Sequence, residues 1–550
     1  MRSTTAHIIR LFALILLGAA LLSCLKEEPQ RTQKHPQEES HDVVNAWLSL
    51  DLNVVSSGAP TKAAADNVSG GTNNGIDENA IKRLVVYLVP AEGGTEDWDE
   101  CIMTYIPKLT LSSGDVYKAS VKARLNVPMN VYVGANLSTV LAGNILADHQ
   151  NASYRSSAAS YTDLIKDFAS ADNGVAMFCT EPYAVTFVEA NADPSTPANV
   201  GGSGTVDLVR MLAKVHVLFQ CYDEHPDFVK ITEPGSMTPA AFGAFGWSRM
   251  SDISYIVNTV NRSTRLFQPA YGGSYALYED LNHTMTDLLQ KGLEWEYVAG
   301  KENDFLGFAE ELIADYDEEW NDWAAKPERF FTNKAPFGTG TDGAYVNGLY
   351  CLENTTDDSS LAYMTTDEQK YVPFMIATHV IVKARFVPRT INTVSGGVLT
   401  AADHGENGYD AALAALPEVS GVDENGNPHI YPAGTFFTRD MKEFYDYQGM
   451  LKLIESGAVP GLARKNFAAY PGGYGFYYSY IHGGTDGSTG QVTFNGAESG
   501  VFRNHYHFLN CQLMKVPATP GSFNQLMMVN SKVVDWNPKG ALNLIVKPNV

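Results

Sequence analysis

From Asn45 to Val54 the chain alternates polar and apolar residues without a slip. Ala46, Leu48, Leu50, Leu52 and Val54 fall on one side, and Asn45, Trp47, Ser49, Asp51 and Asn53 on the other. A period of two is the period of a β-strand, and a strand with one apolar face must lay that face on a core. Strand-like stretches then recur along the chain: Ile81–Val89, 115–125, 128–135 (MNVYVGAN), the long apolar run Val206–Phe219, and 253–267. Further ones lie at Tyr345–Asn354, Val372–Pro388, Tyr474–His482, Gly500–Leu513 and 532–538. Leu542, Leu544 and Val546 alternate once more near the end. This spacing predicts a mainly β fold of the sandwich kind. Composition agrees: Gly 47, Tyr 28 and Phe 25 are plentiful and charged residues make up only 18%. Aromatic residues fill strands and glycine makes turns.

Ahead of the first strand, Arg2 and Arg10 precede a short apolar run, Leu11–Leu17, then Gly18-Ala19-Ala20 and Leu21-Leu22-Ser23-Cys24. A charged start, an apolar core and small residues at the end are the parts of a secretory signal. The run is too short to span a bilayer with ease. Leu-x-Ser-Cys resembles the lipobox of bacterial lipoproteins, which implies that Cys24 is acylated, palmitate included, and becomes the new N-terminus. Several acyl chains anchor stably where one does not. Residues 25–42 are charged and polar with two prolines, and read as a disordered tether.

The 550 residues suffice for about two to four domains. A net charge of −23 makes nucleic acid and anionic membrane surfaces poor partners. Apart from Cys24, five cysteines are scattered at 101, 179, 221, 351 and 511, with no Cys-x-x-Cys pair. An odd, dispersed set specifies neither a disulfide framework nor a zinc site, and small buried hydrophobes are the expectation. Between about 275 and 325, Phe305, Phe308, Leu312, Ile313, Trp320 and Trp323 recur at helical spacing among acidic residues, with Asn303 as N-cap. The pattern predicts an acidic amphipathic helical insertion.

Motifs for chemistry are absent. There is no Gly-x-Ser-x-Gly, no phosphate loop and no His-Glu-x-x-His. His505 and His507 share a strand face but lack an evident third ligand, so aromatic packing is expected. Asp423–Asn427 partly resembles a calcium loop without its closing glutamate; an Asn-Gly turn between strands is expected instead. The carboxylates of Asp315–Asp322 read as a solvated helix face. The expectation is a protein that is not an enzyme and carries no cofactor or metal.

Taken in order, five stretches resemble the Bacteroidales fimbrillins, the type V pilins, and most closely their minor-fimbrium shaft subunits. They are the lipobox at Cys24; the strand at 46–54 with the Thr61-Lys62-Ala63 loop after it; IKRLVVYLV with MNVYVGAN; DLVRMLAKVHV; and the C-terminal GVFRNHYHFLN with VVDWNPKGALNLIV. The resemblance implies two transthyretin-like β-sandwich domains. It also implies export as an outer-membrane lipoprotein, cleavage after a basic residue that removes the first strand, and refilling of the groove by a strand from another subunit. The best-known members are cut after arginine, whereas this loop offers Lys62, and Arg31 lies upstream.

The residues support the same logic. A strand with one apolar face, tied in by the small, polar, glycine-rich loop from Ser56 to about Asp77, can be cut away. Its loss leaves an edge primed for strand addition. Leu542, Leu544 and Val546 have the period to refill it, and head-to-tail insertion that does not close gives filaments. The expected organisation is a signal peptide at 1–23, tether and removable strand at 24–62, an N-terminal sandwich at 63–268, a C-terminal sandwich at 269–530 with the insertion, and a donor strand at 531–550. The expected function is a fimbrial shaft subunit serving adhesion and biofilm, partnered by copies of itself or related subunits. The alternatives are an anchor or tip subunit and, in another class, a surface glycan-binding lipoprotein; the seven tryptophans are too dispersed to mark a sugar platform.

Overall fold

The computed structural model describes residues 43–55, 68–69, 72–73, 76–147, 153–155, 161–200, 205–219, 221–222, 224–232, 239–258, 260–261, 263–266, 305–306, 348–355, 378–481, 500–501, 503–514, 517 and 528–537. The described residues are mainly β, as the alternations predict, and the helices among them are few and short.

The first strand is Val43–Val54. It lies in a nine-stranded sheet in which Ala198–Asn199, Val43–Val54, Thr205–Arg210, Met177–Cys179, Pro128–Ala135, Leu84–Pro90 and Ile102–Ile106 follow one another. Asp115–Arg124 pairs with the first strand and Tyr183–Thr186 with Pro128–Ala135. Every residue of Leu84–Pro90 is buried. A strand covered on both faces reads as a continuous apolar run rather than an alternation. The helix Thr139–Ala147 packs here through Leu141, Ala142 and Ile145, and the Tyr87 hydroxyl donates to the Ala142 carbonyl at 2.9 Å.

The run Val206–Phe219 reads as one strand in the sequence; the structure divides it. Thr205–Arg210 ends in the first sheet. Ala213–Phe219 belongs to a six-stranded sheet with Leu349–Cys351, His505–Met514, Met528–Asn537, Val68–Ser69 and Ile231–Thr232. The break at Met211-Leu212 exists because each half finds its hydrogen-bond partners in a different sheet, which local apolarity does not reveal. The strands thus change partners at 211–212. Ile253–Asn258 pairs with His379–Arg385, which in turn pairs with Tyr474–Tyr480.

Between Phe386 and Gly473 sits a lobe that the alternations in the sequence do not announce. A five-stranded sheet runs Val398–Asp403, Thr390–Ser395, Phe444–Tyr445, Phe436–Thr438, Ala468–Tyr470. It has two apolar cores of its own, one around Trp247, Phe386, Phe436 and Tyr470 and one around Tyr431, Phe437, Tyr447 and Phe467. The helix Tyr447–Ser456 starts where Asp446 Oδ1 accepts from the Gly449 amide at 2.6 Å. It stops at Gly457, whose φ of 63° suits glycine. Of the expected helical insertion only Phe305–Leu306 is described. Those two residues form a short strand against Val260–Asn261 rather than a helix turn, because cross-strand pairing outweighs weak local propensity. The rest of 275–325, with Asp315–Asp322, lies outside the described residues.

The five cysteines among the described residues are free and, apart from the half-buried Cys101, buried. Burial pushes the thiol of Cys101 up to about 12, that of Cys179 up to about 12 and that of Cys221 up to about 11. Thiols held protonated in this way are poor nucleophiles and behave as small hydrophobes.

Leu50 is fully buried in the first strand, whereas Asn45 is exposed. Leu50→Ala is expected to lower the unfolding free energy by about 2–5 kcal/mol. Asn45→Ala should stay within about 0.5 kcal/mol of the parent. Urea unfolding of the full chain checks both.

Candidate functional site

The five alternating residues of the first strand come together as expected: Ala46, Leu48, Leu50 and Leu52 are 0% exposed and Val54 2%. The strand runs parallel to both Ala198–Asn199 and Thr205–Arg210, with Leu48 opposite Ala198 and Val54 opposite Leu208. The Val55 amide donates to the Leu208 carbonyl at 3.0 Å on that side. On the other border the Gly114 amide donates to the Leu52 carbonyl at 2.7 Å and Ser113 Oγ accepts from the Val54 amide at 3.1 Å. Side chains lock the same region: Asn53 Nδ2 donates to Asp207 Oδ1 at 2.7 Å and Thr205 Oγ1 to Asp51 Oδ2 at 3.3 Å. The strand is therefore a wedge between Asp115–Arg124 and Thr205–Arg210. Withdrawing it exposes two rows of unpaired backbone groups and an apolar floor. Because its pairing to Thr205–Arg210 is parallel, the strand is not one arm of a tight hairpin with that neighbour.

Beneath the C-terminal end of this slot lies a buried ionic cluster. Glu78 accepts at Oε1 from Lys214 Nζ at 2.7 Å and from the Tyr350 hydroxyl at 2.6 Å, and at Oε2 from the Tyr506 hydroxyl at 2.6 Å. Arg210 is buried beside it. Its Nε donates to the Glu78 carbonyl at 3.2 Å, Nη2 to Asn79 Oδ1 at 2.8 Å and Nη1 to Asn504 Oδ1 at 3.2 Å. Lys214 Nζ also stands 4.9 Å from the centre of the Tyr506 ring. Burial pulls the Arg210 guanidinium down to about 10, against the opposing pull of Tyr506 and Glu78. Burial likewise lowers Lys214, with Glu78 resisting. Burial, then the Glu78 charge, pushes the Tyr506 phenol well above its ordinary value. A second pair closes the neighbouring loop. Arg503 Nε donates to Glu353 Oε2 at 2.8 Å, Nη2 reaches Glu353 Oε1 and Thr264 Oγ1, and Nη1 donates to the Leu266 carbonyl.

Sequence reasoning missed this cluster. Its signal was present: Arg210 and Lys214 interrupt the apolar DLVRMLAKVHV, and charges inside an apolar strand demand partners. Which carboxylate would come to them was not visible. Other expected residues fall elsewhere. Cys24, Lys62, Ala63, Leu542, Leu544 and Val546 lie outside the described residues. His505 and His507 are buried on one strand, ring centres 6.4 Å apart, and His505 Nδ1 is 2.8 Å from the Arg503 carbonyl oxygen. Asp423 closes a hairpin between Val419–Val422 and Pro428–Tyr431. Its carboxylate accepts from the amides of Asn425 and Asn427, which hold it below the usual carboxylate range. Those oxygens are engaged by their own turn, as an Asn-Gly turn requires. Among the described residues no group of three His, Cys, Asp or Glu could hold a metal ion. Also among them, no helix is long and apolar enough to cross a membrane.

No protein-family model matches the chain, and no curated protein is similar to it. Solved structures are. A fimbrilin from Porphyromonas gingivalis W83 is 11% identical over 90% of this chain and 98% of that one, with a TM-score of 0.34. The tip fimbrial protein Mfa3 from Porphyromonas gingivalis, with C-terminal truncation, is 11% identical over 90% and 100%, with a TM-score of 0.32. The fimbrial anchor protein Mfa2 from the same organism is 10% identical over 41% and 64%, with a TM-score of 0.20. The chain is thus similar to fimbrial proteins, at identities and TM-scores too low to carry a conclusion about which role it plays.

Removing one member of a buried ion pair leaves the other uncompensated. Glu78→Gln is expected to cost about 3–5 kcal/mol of unfolding free energy by urea titration. Alkaline pH should act on the buried phenols. Tyr506, Tyr87 and Tyr477 are all raised, chiefly by burial. The folded protein keeps those protons while the unfolded chain loses them near pH ~10, so stability is full below that pH and falls above it. Lys214 and Arg210, both lowered, work oppositely, but they are two groups against many raised phenols. Phenolate absorbance rising together with loss of circular dichroism above pH ~10 checks the sign.

Proposed function

We propose that this chain is a structural subunit of a surface fimbria, made as an outer-membrane lipoprotein acylated at Cys24 and matured by cleavage between Lys62 and Ala63. The cut frees the first strand. Leu542, Leu544 and Val546 of another subunit then enter the vacated slot, and repetition head to tail builds a filament that serves adhesion and biofilm. The role is structural rather than catalytic.

One observation carries this proposal: the first strand is a wedge with one buried apolar face, paired on both borders, and the sequence stretch that follows it has Lys62 as its basic residue. Burying Leu542, Leu544 and Val546 in the slot is favourable by roughly 1.5–3 kcal/mol for each. Ordering costs are set against that gain. The period of the C-terminal alternation matches the period of the slot. The exchange also explains why the first strand stands beside a parallel neighbour, since a strand delivered by another chain needs no turn to its partner.

Treating the full precursor with a trypsin-like protease should give a new N-terminus at Ala63 and a heat-sensitive ladder of oligomers on gels. Lys62→Gln should stay uncut at that site and monomeric. A cut chain that remains a stable monomer would point instead to an anchor subunit or a glycan-binding lipoprotein. Cys24→Ala should lose incorporation of labelled palmitate in the producing cell.

A further inference from the structure

Asn504 stands at the C-terminal end of the slot and is fully buried. Its Nδ2 donates to the Val55 carbonyl at 3.0 Å. Its Oδ1 accepts from Arg210 Nη1 at 3.2 Å, and because a guanidinium only donates, this contact decides which end of the amide faces the slot. The backbone is held too: φ is 60°, a left-handed conformation that asparagine tolerates, and the Asn504 amide donates to the Leu212 carbonyl at 2.7 Å.

A strand that stops short of the position of Val55 leaves the buried Asn504 amide without its acceptor. An unmet buried donor is penalised more heavily than a made hydrogen bond is rewarded.

We propose that Asn504 is a strand-end anchor: the strand that fills the slot is held at its end by the main-chain carbonyl following its last buried residue, which docks on Asn504 Nδ2. The ligand of this subsite is a backbone carbonyl, so it reads whether a strand reaches the end of the slot rather than side-chain identity. With Val546 in the place of Val54, the carbonyl presented is that of Lys547. This rests on the strand-exchange proposal above.

The test uses the full chain, cut in the 56–67 loop, and two fluorescent peptides, residues 43–57 and residues 43–54 ending in an amide. Two variants remove the donor: Asn504→Gly, which keeps the left-handed backbone, and Asn504→Asp, which keeps the acceptor for Arg210. The parent should bind the longer peptide about tenfold more tightly. Both variants should show a preference of about threefold or less, the remainder coming from the residues of the longer peptide beyond the Val55 carbonyl. A parent indifferent to peptide length, or variants that keep the full preference, would overturn the anchoring role while leaving strand exchange standing. Failure of both peptides to enter the parent would overturn the two together.

Discussion

Lys214 lies 2.7 Å from Glu78 in a place with no access to water, and much of the architecture follows from having to satisfy that charge. A buried ion pair seldom adds net stability over an apolar replacement, but it tolerates few arrangements. Here the arrangement draws on chain segments far apart: Glu78 and Asn79, Arg210 and Lys214, Tyr350, and Asn504 with Tyr506. The hydroxyls of Tyr350 and Tyr506 occupy the remaining acceptor sites of the carboxylate. Each member thereby fixes where its segment may run. We see this as the reason that Thr205–Phe219 can pass from one sheet to another at Met211-Leu212 without losing its course.

The cluster and the slot are contiguous. Arg210 holds Asn504, and Asn504 holds the carbonyl just past the first strand. The first strand therefore ends on a buried polar platform. Under the proposed exchange, that platform would stay behind when the strand leaves and would receive the end of the strand that takes its place.

How far the site was legible can be followed through its residues. The alternation of Ala46 to Val54 named the buried face correctly, because period and burial are linked by strand geometry alone. The charges of Arg210 and Lys214 were legible as an anomaly, yet their partner Glu78 sits in a polar stretch with nothing to distinguish it from Asp77. The lobe between Phe386 and Gly473 went unrecognised for another reason. Its strands are short, several are exposed on one side, and their order in space differs from their order in the chain. The capping signals of its longer helix, Asp446 and Gly457, were there to be read.

By itself the sequence determined the mainly β character, the orientation of the first strand's apolar face and the scarcity of partners for a lone cysteine. These depend on periodicity, composition and spacing, which are properties of neighbours in the chain. Tertiary structure alone decided the switch of sheets at Met211-Leu212, the parallel pairing of the first strand, the strand formed by Phe305–Leu306 and the convergence on Glu78. Each of these depends on which distant backbone or carboxylate arrives, and the free energy that selects it comes from desolvation and pairing across hundreds of residues rather than from any local preference.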